Sequence, residues 1–179
     1  DSIKTLNGNL AYKLEDEFEG ENNVNLGLVQ GLGWLAKVND DSSSLSRSDG
    51  SYNFTKMTLS VSRAQKIPNN FGLLVNLSGQ WASRPLLSSE EFSVGGSSLG
   101  RAYDSSEITG DHGMGFALEM QYTMKPGGKL VSYFQPYVFW DLGLTWDINQ
   151  NEDDYRSAAS SGLGLRLGLG DNVSAGIEL

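Results

Sequence analysis

Arg101 is the only lysine or arginine between Glu90 and Glu119, in a segment that reads EEFSVGGSSLGRAYDSSEITGDHGMGFALE. A guanidinium carries paired N–H donors that fork onto a carboxylate, so a lone arginine on a long glycine-rich loop is a natural pin. Its candidate acceptors are Glu119 and Asp141. Period-two alternation puts both on the polar face of neighbouring strands, where two carboxylates repel unless a cation lies between or beside them. Two readings follow: Arg101 is a solvated loop residue and Asp141 a plain polar wall group, or the loop folds back and the two pair. Spacing alone favours the first.

Other chemistry has little support. His112 is the only histidine, which excludes a multi-histidine metal site. Ser, His and Asp occur together by composition alone, with no nucleophile elbow and no phosphate-binding loop. Asp40-Asp41 and Glu152-Asp153-Asp154 lack the ordered ligand spacing of a calcium loop and read as solvated loop residues. The sequons at Asn53, Asn76 and Asn172 fall in or beside strands and read as chance. Cysteine is absent, excluding disulfides and thiolate metal sites and suiting an oxidising compartment. No enzyme, cofactor or metal is implied.

The elements that must position Arg101 alternate throughout. Leu10, Tyr12, Leu14 and Phe18 face away from Ala11, Lys13, Glu15 and Glu17, with Asp16 breaking the apolar side. Val24 to Trp34, Met57 to Val61 and Phe71 to Trp81 repeat the pattern. Met114, Phe116, Leu118, Met120 and Tyr122 oppose Gly113, Gly115, Glu119 and Gln121. Phe134, Val138, Trp140, Leu142, Leu144 and Trp146 oppose Asp141, Gly143 and Thr145. Leu163 to Leu169 and Val173 to Leu179 alternate with Gly, Ser, Arg166 and Glu178. This predicts about eight strands. Their connections also alternate: short near 19–23, 64–70, 125–132 and 170–172, longer and polar over 37–51, 83–112 and 147–157.

That rhythm is the pattern of an outer-membrane up-and-down barrel, with short periplasmic turns and long extracellular loops. It places Trp34, Trp81 and Trp146 at extracellular strand ends and Phe71, Tyr122 and Phe134 at periplasmic ones, as two aromatic girdles. The chain is 39% hydrophobic with 22 glycines, and no apolar run is long enough for a membrane helix. A barrel conceals its apolar face in the average, because lipid-facing and lumen-facing residues alternate. The alternative is a soluble β-sandwich or small ligand-binding barrel with its apolar face turned inward. Against it, the polar face is crowded with Gly and small hydroxyl residues rather than charge. The net charge of −9 argues against a nucleic-acid partner.

The motifs carry a resemblance. Gly100-Arg101-Ala102-Tyr103 is similar to the Val-Arg-Gly-Tyr tetrapeptide in the inward-folding loop of the two-partner-secretion transporters, the haemolysin activation/secretion family. Here Gly100 and Ala102 replace Val and Gly, while the arginine and aromatic are kept. Glu91-Phe92 and Gly95-Gly96 match the lead-in, Gly110-Asp111 with Gly113 and Glu119 the motif opening the next strand, and Phe139, Asp141 and Gly143 a Phe-x-Asp-x-Gly motif. The resemblance implies an all-β, antiparallel transmembrane barrel in the bacterial outer membrane, in contact with lipid and lipopolysaccharide. Residues 1–179 would supply about half of a barrel of about sixteen strands. It implies export of a large β-rich client of haemolysin or adhesin type, with Arg101 paired to Asp141 and Glu119 in the lumen. An assembly insertase of the same superfamily, or a porin-like or anchoring barrel, is the alternative. The family's periplasmic POTRA modules, plug helix and final strand have no counterpart here, both ends look cut, and any secretory signal would lie outside the chain. The sheet should be an open half-barrel.

Overall fold

The structure is a computed structural model that describes residues 3–35, 46–127, 130–148, 155–170 and 173–179. Asp40, Asp41, Glu152, Asp153, Asp154 and Asn172 lie outside them. Among the described residues ten strands form: β1 (Thr5–Glu15), β2 (Gly20–Gly31), β3 (Thr55–Ile67), β4 (Phe71–Ala82), β5 (Phe92–Val94), β6 (Ile108–Gly110), β7 (His112–Tyr122), β8 (Val131–Trp146), β9 (Tyr155–Leu169) and β10 (Val173–Glu178). Eight make one antiparallel sheet in the order β1-β2-β3-β4-β7-β8-β9-β10. Each strand pairs with its neighbour in sequence, apart from the β5–β6 hairpin inserted between β4 and β7. The sheet does not close: β1 and β10 are its edges.

The sheet is built inside out relative to a soluble protein. On β7 and β8 the even-numbered residues Met114, Met120, Val138 and Trp140 are exposed, whereas Ala117, Glu119, Tyr137, Phe139, Asp141 and Thr145 are buried. Leu10, Leu26, Leu28, Met57, Leu59, Leu77 and Leu163 extend the exposed apolar face across the sheet. A soluble sandwich would bury these side chains; in a membrane wall lipid covers them and the lumen side carries the polar groups. The buried carboxylates, Asp111, Glu119 and Asp141, all lie on the opposite side.

Aromatic residues mark the two ends. Phe71 and Tyr122 pair across β4 and β7 at the short-turn end, ring centroids 4.8 Å apart. At the loop end Trp81, His112 and Trp146 form a row, with centroid separations of 6.4 and 5.5 Å. Trp34 differs from expectation: it lies beyond β2 in a short 3₁₀ helix (Gly33–Leu35) and is exposed.

Two turns are tighter than the alternation predicts. The first spans 16–19 rather than 19–23, so Phe18 leaves the strand and is exposed. Asp16 ends β1 because its Oδ1 accepts the N–H groups of Phe18 (3.1 Å) and Gly20 (3.0 Å), and Glu19 takes a left-handed φ of 59°. Likewise β3 continues to Ile67, leaving a turn at 68–70 in which Asn69 and Asn70 have φ of 64° and 66°. Asparagine tolerates that region better than most residues.

The Arg63 guanidinium, 2.6 Å from Asp16 Oδ2, holds the Asp16 carboxyl down at about 2, helped by the Gly20, Asn22 and Phe18 donors against the opposing effect of burial. A carboxyl lowered on folding stabilises above its unfolded value of about 4, and the contribution is lost as pH falls through the folded value. Asp16→Asn in the full-length protein is therefore expected to be less stable than the parent at pH 6. Denaturant midpoints should converge below about pH 2.

Candidate functional site

The loop between β4 and β7 folds back over the polar face. Its base is the β5–β6 hairpin, and its tip closes through hydrogen bonds from Gly95 N to Leu99 O (2.9 Å) and from Tyr103 N to Gly100 O (2.9 Å). Gly95 has a φ of 117°, and a Cβ there would collide with the Asp104 carbonyl. Only glycine makes that turn without strain. Gly96 and Gly100 also have positive φ, whereas Ala102 does not, so alanine stands there without backbone penalty.

The wall is shaped to receive the loop. A Cβ on Gly113 would overlap the Phe92 ring, and one on Gly143 would overlap the Val94 isopropyl group. Glycine on the lumen side of β7 and β8 is thus a socket for loop side chains. Val94 is fully buried in it, and Leu99 packs over Gly115 in the same way. Beyond the tip, Tyr103 donates its hydroxyl to the Ala159 carbonyl on β9 at 3.1 Å.

Arg101 sits at the centre of this contact. Its Nε donates to Asp141 Oδ2 (3.1 Å) and its Nη2 to Asp141 Oδ1 (3.0 Å), a two-pronged pairing, while Nη1 donates to Glu119 Oε2 (2.8 Å). Asp141 Oδ2 also accepts the backbone N–H groups of Gly100 (3.2 Å) and Arg101 (3.1 Å). Asp141 is fully buried and the Arg101 side chain is 8% exposed. The guanidinium lies over Phe139, 3.8 Å from the ring centroid. Cross-strand register explains the convergence: Ala117 pairs with Asp141 and Glu119 with Phe139, so the three acceptor and stacking groups share one patch.

A second arginine, absent from the sequence-based candidates, completes the patch. Arg166 on β9 donates to Glu119 Oε1 (2.6 Å) and Oε2 (3.0 Å) and stacks on Tyr137 at 3.8 Å. Tyr137 in turn donates to Glu178 on β10 (2.7 Å), and Glu178 lies 3.5 Å from Arg101. Arg166 could have been singled out, since it is the one charge among the glycines that alternate with Leu163 to Leu169. Sharing Glu119 between two guanidinium groups and stacking each on an aromatic ring offsets the cost of burying these charges.

The remaining motif positions fall in two places. Phe92, Gly95, Gly96, Gly113 and Gly143 build the loop and its socket. Gly110 and Asp111 stand at the loop's foot, where fully buried Asp111 accepts the N–H groups of Leu86 (2.6 Å) and Ile148 (3.1 Å). His112 accepts the Ala82 N–H at 3.3 Å and stacks on Trp146, a structural arrangement.

An antiparallel sheet that turns apolar side chains outward and buries an arginine loop against carboxylates on its inner face is a wall of a transmembrane β-barrel. The chain belongs to the haemolysin secretion/activation protein ShlB/FhaC/HecB family, whose model matches residues 5–167. It is therefore a protein of the outer membrane of Gram-negative bacteria, in a family of transporters rather than enzymes. Among solved structures it is similar to CdiB from Escherichia coli, with a TM-score of 0.78 over 99% of this chain at 20% identity. The chain spans 33% of the length of CdiB. No curated protein sequence matches it.

Proposed function

We propose that this chain is the wall and inward loop of an outer-membrane pore that exports a large, β-rich partner protein of haemolysin or adhesin type by two-partner secretion. Residues 1–179 form one part of a single barrel domain whose remaining strands and periplasmic POTRA modules belong to the rest of the protein. The observation that carries this reading is the two-pronged Arg101–Asp141 contact with its Glu119 arm. The exposed apolar face of the sheet would sit against lipid and lipopolysaccharide. Energy for export would come from folding of the client outside, because the periplasm supplies no nucleotide.

Deletion of the full gene in the source bacterium tests the reading. One large exported protein should disappear from the medium while the profile of outer-membrane proteins stays unchanged. A general loss of barrel proteins would instead identify an assembly insertase, and loss of small-solute uptake alone a porin.

A further inference from the structure

A further, half-buried arginine lies away from the lumen contact. Arg47, between β2 and β3, reaches across the loop end of the sheet, and its Nη1 donates to Glu91 Oε1 (2.8 Å) and Asp111 Oδ1 (2.8 Å). Asp147 Oδ1 is 3.7 Å away, and Asp49 Oδ1 is 2.7 Å from Nε. Glu91 immediately precedes β5 and Asp111 immediately follows β6. Arg47 thus ties together the two feet of the inward loop from a neighbouring loop, across 44 and 64 residues of sequence. We propose that Arg47 is a positioning residue for the inward loop, so that the seating of Arg101 in the lumen depends on an ion-pair latch at the mouth of the barrel.

The environment fits a latch rather than a surface ion pair. Arg47 is 17% exposed, Glu91 9%, Asp147 6% and Asp111 not at all. Glu91, Asp111 and Asp147 bring carboxylate oxygens within 4.8 Å of one another; Arg156, which contacts Asp147, is the other cation in the cluster among the described residues. Removing Arg47 leaves like charges crowded at the base of the hairpin, which repel and part the feet. Burial disfavours the guanidinium, but the Asp111 hydrogen bond and the surrounding carboxylates outweigh it and raise its pKa. The cation is held permanently. Glu91 and Asp111 also anchor the same short hairpin that carries Val94 into its socket, so force at the feet is transmitted along two strands of three residues each to the tip.

The inference rests on the proposed function only for its effect on secretion, and loop position can be measured independently. This chain contains no cysteine, so Val94→Cys in an otherwise cysteine-free full-length transporter reports whether the buried position opens to a membrane-impermeant maleimide on intact cells. In Arg47→Gln and Arg47→Glu, labelling of that cysteine is expected to rise about tenfold or more, with the barrel still heat-modifiable on gels. Arg47→Lys, which keeps the charge but not the fork, should fall between those variants and the parent. Unchanged labelling in both Gln and Glu variants overturns the proposal, as does equal labelling in the Lys, Gln and Glu variants, which would mean generic loosening. Faster labelling with undiminished secretion leaves the latch standing and instead removes loop seating from the export mechanism.

Discussion

Arg101→Ala is expected to abolish most secretion of the client while the full-length transporter remains inserted in the outer membrane at parental level. The variant strips the cation from fully buried Asp141 and removes one of two partners from Glu119. Deleting one member of a buried, hydrogen-bonded ion pair costs about 3–5 kcal/mol, mainly because the remaining charge is left uncompensated. That cost falls on the docked loop and not on the sheet, whose ladder hydrogen bonds do not involve Arg101. The fork to Asp141, the Glu119 contact and the stacking on Phe139 share one side chain and would vanish at once. Arg101→Lys should recover little, since an ammonium cannot form the planar fork. Arg166→Ala should do less damage, because Arg166 supports Glu119 from the wall without touching the loop. Client protein in the medium, normalised to transporter in the membrane, measures all three; parental secretion by Arg101→Ala would remove the loop contact from the mechanism.

Gly143→Val is expected to reproduce that loss with every charge in place. Any Cβ at Gly143 enters the space of Val94, so the β5–β6 hairpin must lift from β8 for the substitution to be accommodated. Valine itself suits a strand better than glycine does, and the barrel should be no less stable. The two variants therefore separate electrostatic anchoring from steric seating. Gly143→Val should lower secretion at least tenfold while leaving heat-modifiability and membrane level unchanged; the companion change Val94→Ala in the same chain should recover part of it by opening room. A Gly143→Val barrel that secretes normally would show that the hairpin need not sit in its socket during export. A barrel that fails to insert would instead mean that the glycine serves the wall.

The loop's dependence on both pairs has a common origin. Arg101 and Arg47 each satisfy carboxylates that the sheet buries, one at the tip and one at the feet. Neither contact extends the sheet's own hydrogen bonding, so both are available to be broken while the wall stays intact.

How much of this was legible beforehand depends on range in the sequence. Strand identity and facing were, because alternation is a local property: the period of two fixes which residues of β7 and β8 turn to lipid and which to the lumen. Glu119, Asp141, Gly113 and Gly143 were placed on one face by that rule, and Arg101 stood out as the one lysine or arginine between Glu90 and Glu119. Turn boundaries were shifted by a few residues, because Asp16 capping its own turn and the left-handed Asn69-Asn70 pair end strands where hydrophobicity alone still alternates. The β5–β6 hairpin escaped notice because strands of three residues are too short to show a period. Arg166 on Glu119 and Arg47 on Asp111 required the tertiary structure. The first joins residues 47 apart and the second residues 64 apart, and no local pattern encodes which distant cation answers a buried carboxylate. Period-two chemistry determined the wall; strand order, register and the return of the loop decided which charges meet, because buried ion pairs form only where separate segments are folded into one low-dielectric space.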